Sequence, residues 1–142
     1  MRKEDEEFRS LKKLENIVGT IDRDVDAVIV EGFRDRKAIK QLGFDGRVFM
    51  SAERAVEDLA EDVIRGSDTV AVLTDFDSHG KEQNKLISQS LQEDIKVDFT
   101  ARKEFGKELT SQGRYAIEDV LPLFSSWRDK FTEATLDRLF PL

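Results

Sequence analysis

The stretch from Thr69 to Gly80 reads Thr-Val-Ala-Val-Leu-Thr-Asp-Phe-Asp-Ser-His-Gly. Its apolar start, Val70 to Leu73, is too short for a buried helix and does not alternate with polar residues. That is the pattern of a strand covered on both faces, as in a parallel sheet. The run then stops in two carboxylates, Asp75 and Asp77. Alternation along the strand puts both on one side of its carboxyl end, the end at which open α/β sheets bind ligands. Two unpaired carboxylates there repel each other unless something positive lies between them. A hard divalent cation such as Mg²⁺ prefers oxygen ligands and fits that need.

The rest of the chain supplies partners for such a strand. Residues 25–30, 47–50 and 95–100 read as three more strands, the last alternating and so nearer an edge. Between them lie segments with helical spacing. Residues 4–18 carry Phe8, Leu11, Leu14 and Val18, and Gly19 reads as the stop of that helix. Residues 34–42 close at Gly43. Ser51 is a candidate N-cap for a helix ending at Gly66, and residues 80–92 carry Leu86, Ile87 and Leu91. Residues 101–110 read as a short helix, 112–113 as a turn and 117–124 as a further helical turn. A final helix is expected over residues 126–140, with Trp127 and Phe131 as core or dimer contacts. The expected fold is α/β: one domain over residues 1–142, with an open, mainly parallel four-stranded sheet and helices on both faces.

Composition narrows the function classes. A 142-residue chain can bury one real core. With no cysteine, disulfides and zinc–thiolate sites are excluded, and a reducing cytoplasm is the expected compartment. No segment has the length and apolarity of a membrane span or a signal peptide. The net charge of −7 argues against an extended nucleic-acid surface but leaves room for a basic rim. Residues 27–50 and 95–114 each sum to +2, whereas residues 51–94 sum to −7.

The first strand also ends in an acid, Glu31, followed at once by Gly32. Glu31, Asp75 and Asp77 therefore belong to one sheet edge, where three carboxylates can converge on Mg²⁺ and leave positions for a phosphate. Gly32 and Gly80 would let backbone approach that phosphate closely. These residues resemble the Toprim domain of topoisomerases, bacterial-type primases and the ribonuclease that matures 5S ribosomal RNA. Val30-Glu31-Gly32-Phe33-Arg34-Asp35 is similar to its strand-plus-Glu-Gly motif, and Leu73-Thr74-Asp75-Phe76-Asp77-Ser-His-Gly80 to its Asp-x-Asp motif. The resemblance spans about residues 25–120 and is greatest to small stand-alone, primase-like Toprim proteins. It implies Glu31 as a metal ligand or general acid/base. It also implies Asp75 and Asp77 as ligands of one or two Mg²⁺ ions, with Mn²⁺ as a substitute.

Around this constellation stand weaker candidates. His79 is either a general acid or phosphate contact, or an exposed loop residue. Arg34, Lys37, Lys81 and Lys85 follow the acidic strand ends and read equally as contacts to an RNA or DNA backbone or as solvated helix faces. Asp35 supports Glu31 or caps the helix after it. Arg102, Lys103 and Lys107 alternate with Glu104 and Glu108, the pattern of helix-surface pairing. The resemblance also marks Glu118 as a supporting acid. Two functions compete: a Mg²⁺-dependent nuclease or other phosphodiester-acting enzyme, and a metal-binding nucleic-acid-associated or regulatory module with little catalysis. A haloacid-dehalogenase-type phosphatase is disfavoured, because its Asp-x-Asp belongs on the first strand.

Overall fold

The computed structural model describes residues 2–125. The chain forms α1 (Lys3–Asp24), β1 (Ala27–Val30), α2 (Phe33–Gln41), β2 (Arg47–Met50), α3 (Val56–Gly66), β3 (Thr69–Val72), α4 (Ser78–Leu91), β4 (Lys96–Val97) and α5 (Phe99–Ser111). A 3-10 turn, Ile117–Val120, follows and runs into helical residues 121–125. The expected helix over residues 126–140, with Trp127 and Phe131, lies outside the described residues.

All four strands are parallel, in the order β2-β1-β3-β4. Ala27 pairs with Val70 and Val28 with Ala71, so the two most apolar strands lie side by side at the centre. Side chains alternate faces along each strand. Val28, Val30, Ala71 and Leu73 pack beneath α1, α2 and α5. Ala27, Ile29, Val70 and Val72 pack beneath α3 and α4. The expected open α/β architecture with helices on both faces is the one observed. Because β1 is followed by β2 on one side and β3 on the other, the strand order reverses between β1 and β3. That is the switch point at which such sheets open a crevice.

Three expected boundaries are corrected, each for a local reason. First, α1 does not stop at Gly19 but continues to Asp24. The stripe Leu11, Leu14, Val18, Ile21 is fully buried. Burying Ile21 is worth about 1.5–3 kcal/mol, more than the roughly 1 kcal/mol that a mid-helix glycine costs. Second, Ser51 does not cap α3. The Ser51 and Ala52 N–H groups donate to the Val30 and Glu31 carbonyls, both at 2.9 Å, so the chain is still following β1 there. The helix starts five residues later, behind Ala55. Third, the strand expected over residues 95–100 shrinks to Lys96–Val97. Asp98 accepts a 3.0 Å hydrogen bond from the Ala101 N–H and starts α5 instead.

Candidate metal centre at the strand switch point

Two strand ends and two helix starts meet at the reversal between β1 and β3. Glu31 directly follows β1, and Gly32 stands ahead of α2. Leu73, Thr74 and Asp75 extend β3, and Asp77 stands ahead of α4. The Leu73 N–H still donates to the Ile29 carbonyl, at 2.7 Å, so this extension stays docked on β1. Glu31 and Asp75 are both half-buried.

Electrostatics show how closely they meet. The Asp75 carboxyl is pushed up to about 7. Burial is the largest cause, followed by the charges of Glu31 and Asp35, hydrogen bonding with Glu31 and the charge of Asp77. Near neutral pH Asp75 thus keeps part of its proton unless a cation offsets the negative charge around it. Glu31 Oε1 is shielded from solvent and has no hydrogen-bond donor. A half-buried carboxylate oxygen without a donor, beside a second carboxyl short of positive charge, is a hard-oxygen donor set that suits Mg²⁺. That ion is commonly held by only one or two carboxylates and keeps several waters.

The third acid is placed differently. Asp77 is exposed, and its Oδ1 accepts the Gly80 N–H at 2.8 Å, capping α4. Regular strand ends at Val72, so strict alternation no longer relates Asp77 to Asp75. Among the described residues no three His, Cys, Asp or Glu side chains close around a common point. The structure therefore brings Glu31 and Asp75 together and leaves Asp77 at the rim.

The weaker candidates divide. Asp35 is buried and accepts from the Gly32 N–H at 3.2 Å and from the Glu118 N–H at 2.9 Å. It caps α2 and ties the 3-10 turn to the site. The Glu118 carboxylate lies 3.6 Å from Arg34 Nε, an exposed pair of small energetic weight. His79 and Lys81 are exposed in the first turn of α4. Gly80 is explained by packing: a Cβ there would stand 1.9 Å from the Asp75 carbonyl oxygen. At Gly32 a Cβ would meet nothing within 4 Å, so space is open beside Glu31.

Arg102 overturns its sequence reading. It is buried, not a surface residue. Its Nη1 donates to the Val72 and Thr74 carbonyls at 3.1 and 2.8 Å and to Thr74 Oγ1 at 3.3 Å. Its Nη2 donates to the Asp75 carbonyl at 3.0 Å. The cause is the short edge strand. Carbonyls of alternate β3 residues face β4, and the Asp98 N–H satisfies that of Val70. Beyond it β4 is gone, and Arg102 supplies the missing donors. Its guanidinium lies 4.4 Å over the Phe76 ring, which occupies the space a Cβ on Gly106 would need. Burial lowers Arg102 to about 10, against the opposing pull of Asp75 and Glu31. A signal was present in the sequence: Arg102 lies three and seven residues before Phe105 and Leu109, on the buried face of α5.

An open parallel α/β domain with an acid pair at its switch point is the class that fold and site define. The chain belongs to the UPF0292 family. The UPF0292 protein of Thermococcus kodakarensis is 30% identical over 99 residues, 69% of this chain and 73% of that protein. The UPF0292 protein of Pyrococcus furiosus is 29% identical over 120 residues, 84% of this chain and 90% of that one. No family model matches the chain. A solved structure from Aquifex aeolicus superposes with a TM-score of 0.58 at 23% identity, covering 78% of this chain and 94% of that one, a likeness of fold.

Proposed function

We propose that this protein is a Mg²⁺-dependent enzyme acting on phosphodiester bonds of RNA or DNA, a nuclease of Toprim type. The observation that carries the reading is the Glu31–Asp75 pair on adjacent strand ends, short of positive charge, with one Glu31 oxygen lacking a donor. Glu31 and Asp75 would hold the ion, and Asp77 would reach it through water. When bound, a divalent cation there polarises a phosphodiester and offsets charge on the attacking and leaving oxygens. Without the ion Asp75 is pushed up to about 7, so binding of a divalent cation would displace its proton and leave both carboxylates as ligands. The N-termini of α2 and α4 both begin at this edge, and their positive ends favour a phosphate. We take the cytoplasm as the compartment, on the absence of cysteine.

The test is cleavage of structured RNA, single-stranded DNA and duplex DNA in Mg²⁺ and in Mn²⁺. Wild type is compared with Asp75→Ala and Glu31→Gln. Cleavage by wild type that both variants lose supports the proposal. No cleavage, with calorimetry showing Mg²⁺ binding that Asp75→Ala abolishes, would replace it with the binding or regulatory module. The exposed, cap-engaged Asp77 is the observation favouring that second reading.

A further inference from the structure

A groove of about 530 Å³ opens between α4 and α5, on the side of β3 that β4 leaves uncovered. Phe76, Lys81, Asn84, Phe99, Lys103 and Tyr115 line it. We propose that this groove holds unpaired nucleotides of a single-stranded nucleic acid, with bases against Tyr115 and Phe99 and phosphates on Lys81 and Lys103. The inference rests on the phosphodiester reading above and names its substrate class.

The lining combines two features that a bare anion or a purely apolar ligand would not need together. Tyr115 and Phe99 are about half exposed, at 52% and 51%, and are two of only four large apolar side chains exposed among the described residues. Both are held on fixed backbone. The Tyr115 carbonyl accepts the Phe76 N–H, and Phe99 opens α5 directly after its cap. Lys81 and Lys103 are exposed, and neither is paired with a carboxylate among the described residues. Aromatic faces stack any base, and ammonium groups follow the backbone. Asn84 adds an amide able to donate and accept at a base edge. A duplex keeps its bases stacked on each other and cannot use the rings.

The groove also borders the segment that carries Asp75, although none of the three acids lines it. Phe76 lines it and is the next residue after Asp75. Arg102 lines it and donates to the Asp75 carbonyl.

The test is fluorescence anisotropy of the full chain with labelled 12-nucleotide oligo(U), oligo(dT) and a blunt hairpin duplex, in EDTA so that binding is read apart from cleavage. Both single strands are expected to bind at least tenfold more tightly than the hairpin. Tyr115→Ala and Phe99→Ala should each weaken single-strand binding roughly 5- to 150-fold, the range for one lost base stack, whereas Tyr115→Phe retains it. The double variant Lys81→Gln, Lys103→Gln should reduce the log–log salt slope by about 1.4, at ~0.7 per phosphate contact. Both aromatic positions are exposed, and thermal melts verify that the variants fold; if one does not, the other carries the test.

Equal or tighter binding of the hairpin, or alanine variants that bind as wild type, would overturn the groove. So would concentration-dependent dimers lost in Phe99→Ala without oligonucleotide binding, which would assign the face to a second copy. Single-strand binding that needs Tyr115, with no cleavage in Mg²⁺, supports the groove and overturns the nuclease. Duplex cleavage by wild type and Tyr115→Ala alike does the reverse.

Discussion

Replacing Arg102 with Met keeps most of the side chain's volume but removes every donor from the uncovered edge of β3. Three carbonyls, of Val72, Thr74 and Asp75, then lose their partner in a region that water reaches poorly. Hydrogen bonds from a charged donor are worth about 1.5–3 kcal/mol each. Against this, the variant no longer buries a guanidinium, which burial lowers to about 10, a penalty of roughly 3 kcal/mol. The balance is a net loss of roughly 4 kcal/mol, taking the middle of the hydrogen-bond range. For a domain of this size that is a melting temperature lower by about 10–15 °C. The assay is reversible thermal unfolding followed by circular dichroism, with Arg102→Lys alongside; its single ammonium can reach one or two of the acceptors and should recover part of the loss. Removing the positive charge also leaves Asp75 and Glu31 less compensated. The Asp75 titration, read by carbon-13 NMR of the carboxyls, should therefore move further upward. A melting change under about 3 °C would refute the reasoning, because β3 would then need no donor from α5.

The other predictions follow from the same edge. Gly80→Ala should cost about 3 kcal/mol or more, because its Cβ would collide with strand backbone. Gly32→Ala should stay within about 0.5 kcal/mol, because the space is open; paired melts test both. Asp35→Asn leaves one carbonyl oxygen to serve two N–H groups and should cost about 1–2 kcal/mol. Faster hydrogen exchange at the Glu118 amide is its signature, and unchanged exchange would deny that Asp35 anchors the 3-10 turn. Asp75 binds its proton more tightly in the folded chain than in the unfolded one, so it favours folding at low pH. Without divalent cation, stability should fall between about pH 4 and pH 7, as the folded-state carboxyl loses its proton. Solvent screening limits the loss to roughly 1–2 kcal/mol. Melts across that window should flatten in Asp75→Asn, and a rise in wild-type stability over it would contradict the sign.

The sheet was legible because its central strands are buried on both faces, and burial of that kind writes itself as unbroken apolar runs such as Val70 to Leu73. The Glu31–Asp75 pair was legible for the same reason: once both runs are parallel neighbours, the acids ending them share an edge. What the sequence hid were competitions settled by single hydrogen bonds. Asp98 and Asp77 each follow a strand-like run, and each turns its carboxylate onto a helix N–H, at Ala101 and Gly80. Periodicity cannot weigh a cap against one more strand residue, because both are worth about 1 kcal/mol. Yet the outcome at Asp98 decides much of the site. A strand four residues longer would have satisfied Val72 and Thr74 directly, through the N–H groups of residues 100 and 102, leaving Arg102 no reason to be buried. Ending β4 at Val97 instead brings α5 in early, draws Arg102 over Phe76 and leaves the edge beside Asp75 open. The cap at Asp98 is thus the local event from which both the buried arginine behind the acids and the aromatic groove beside them follow.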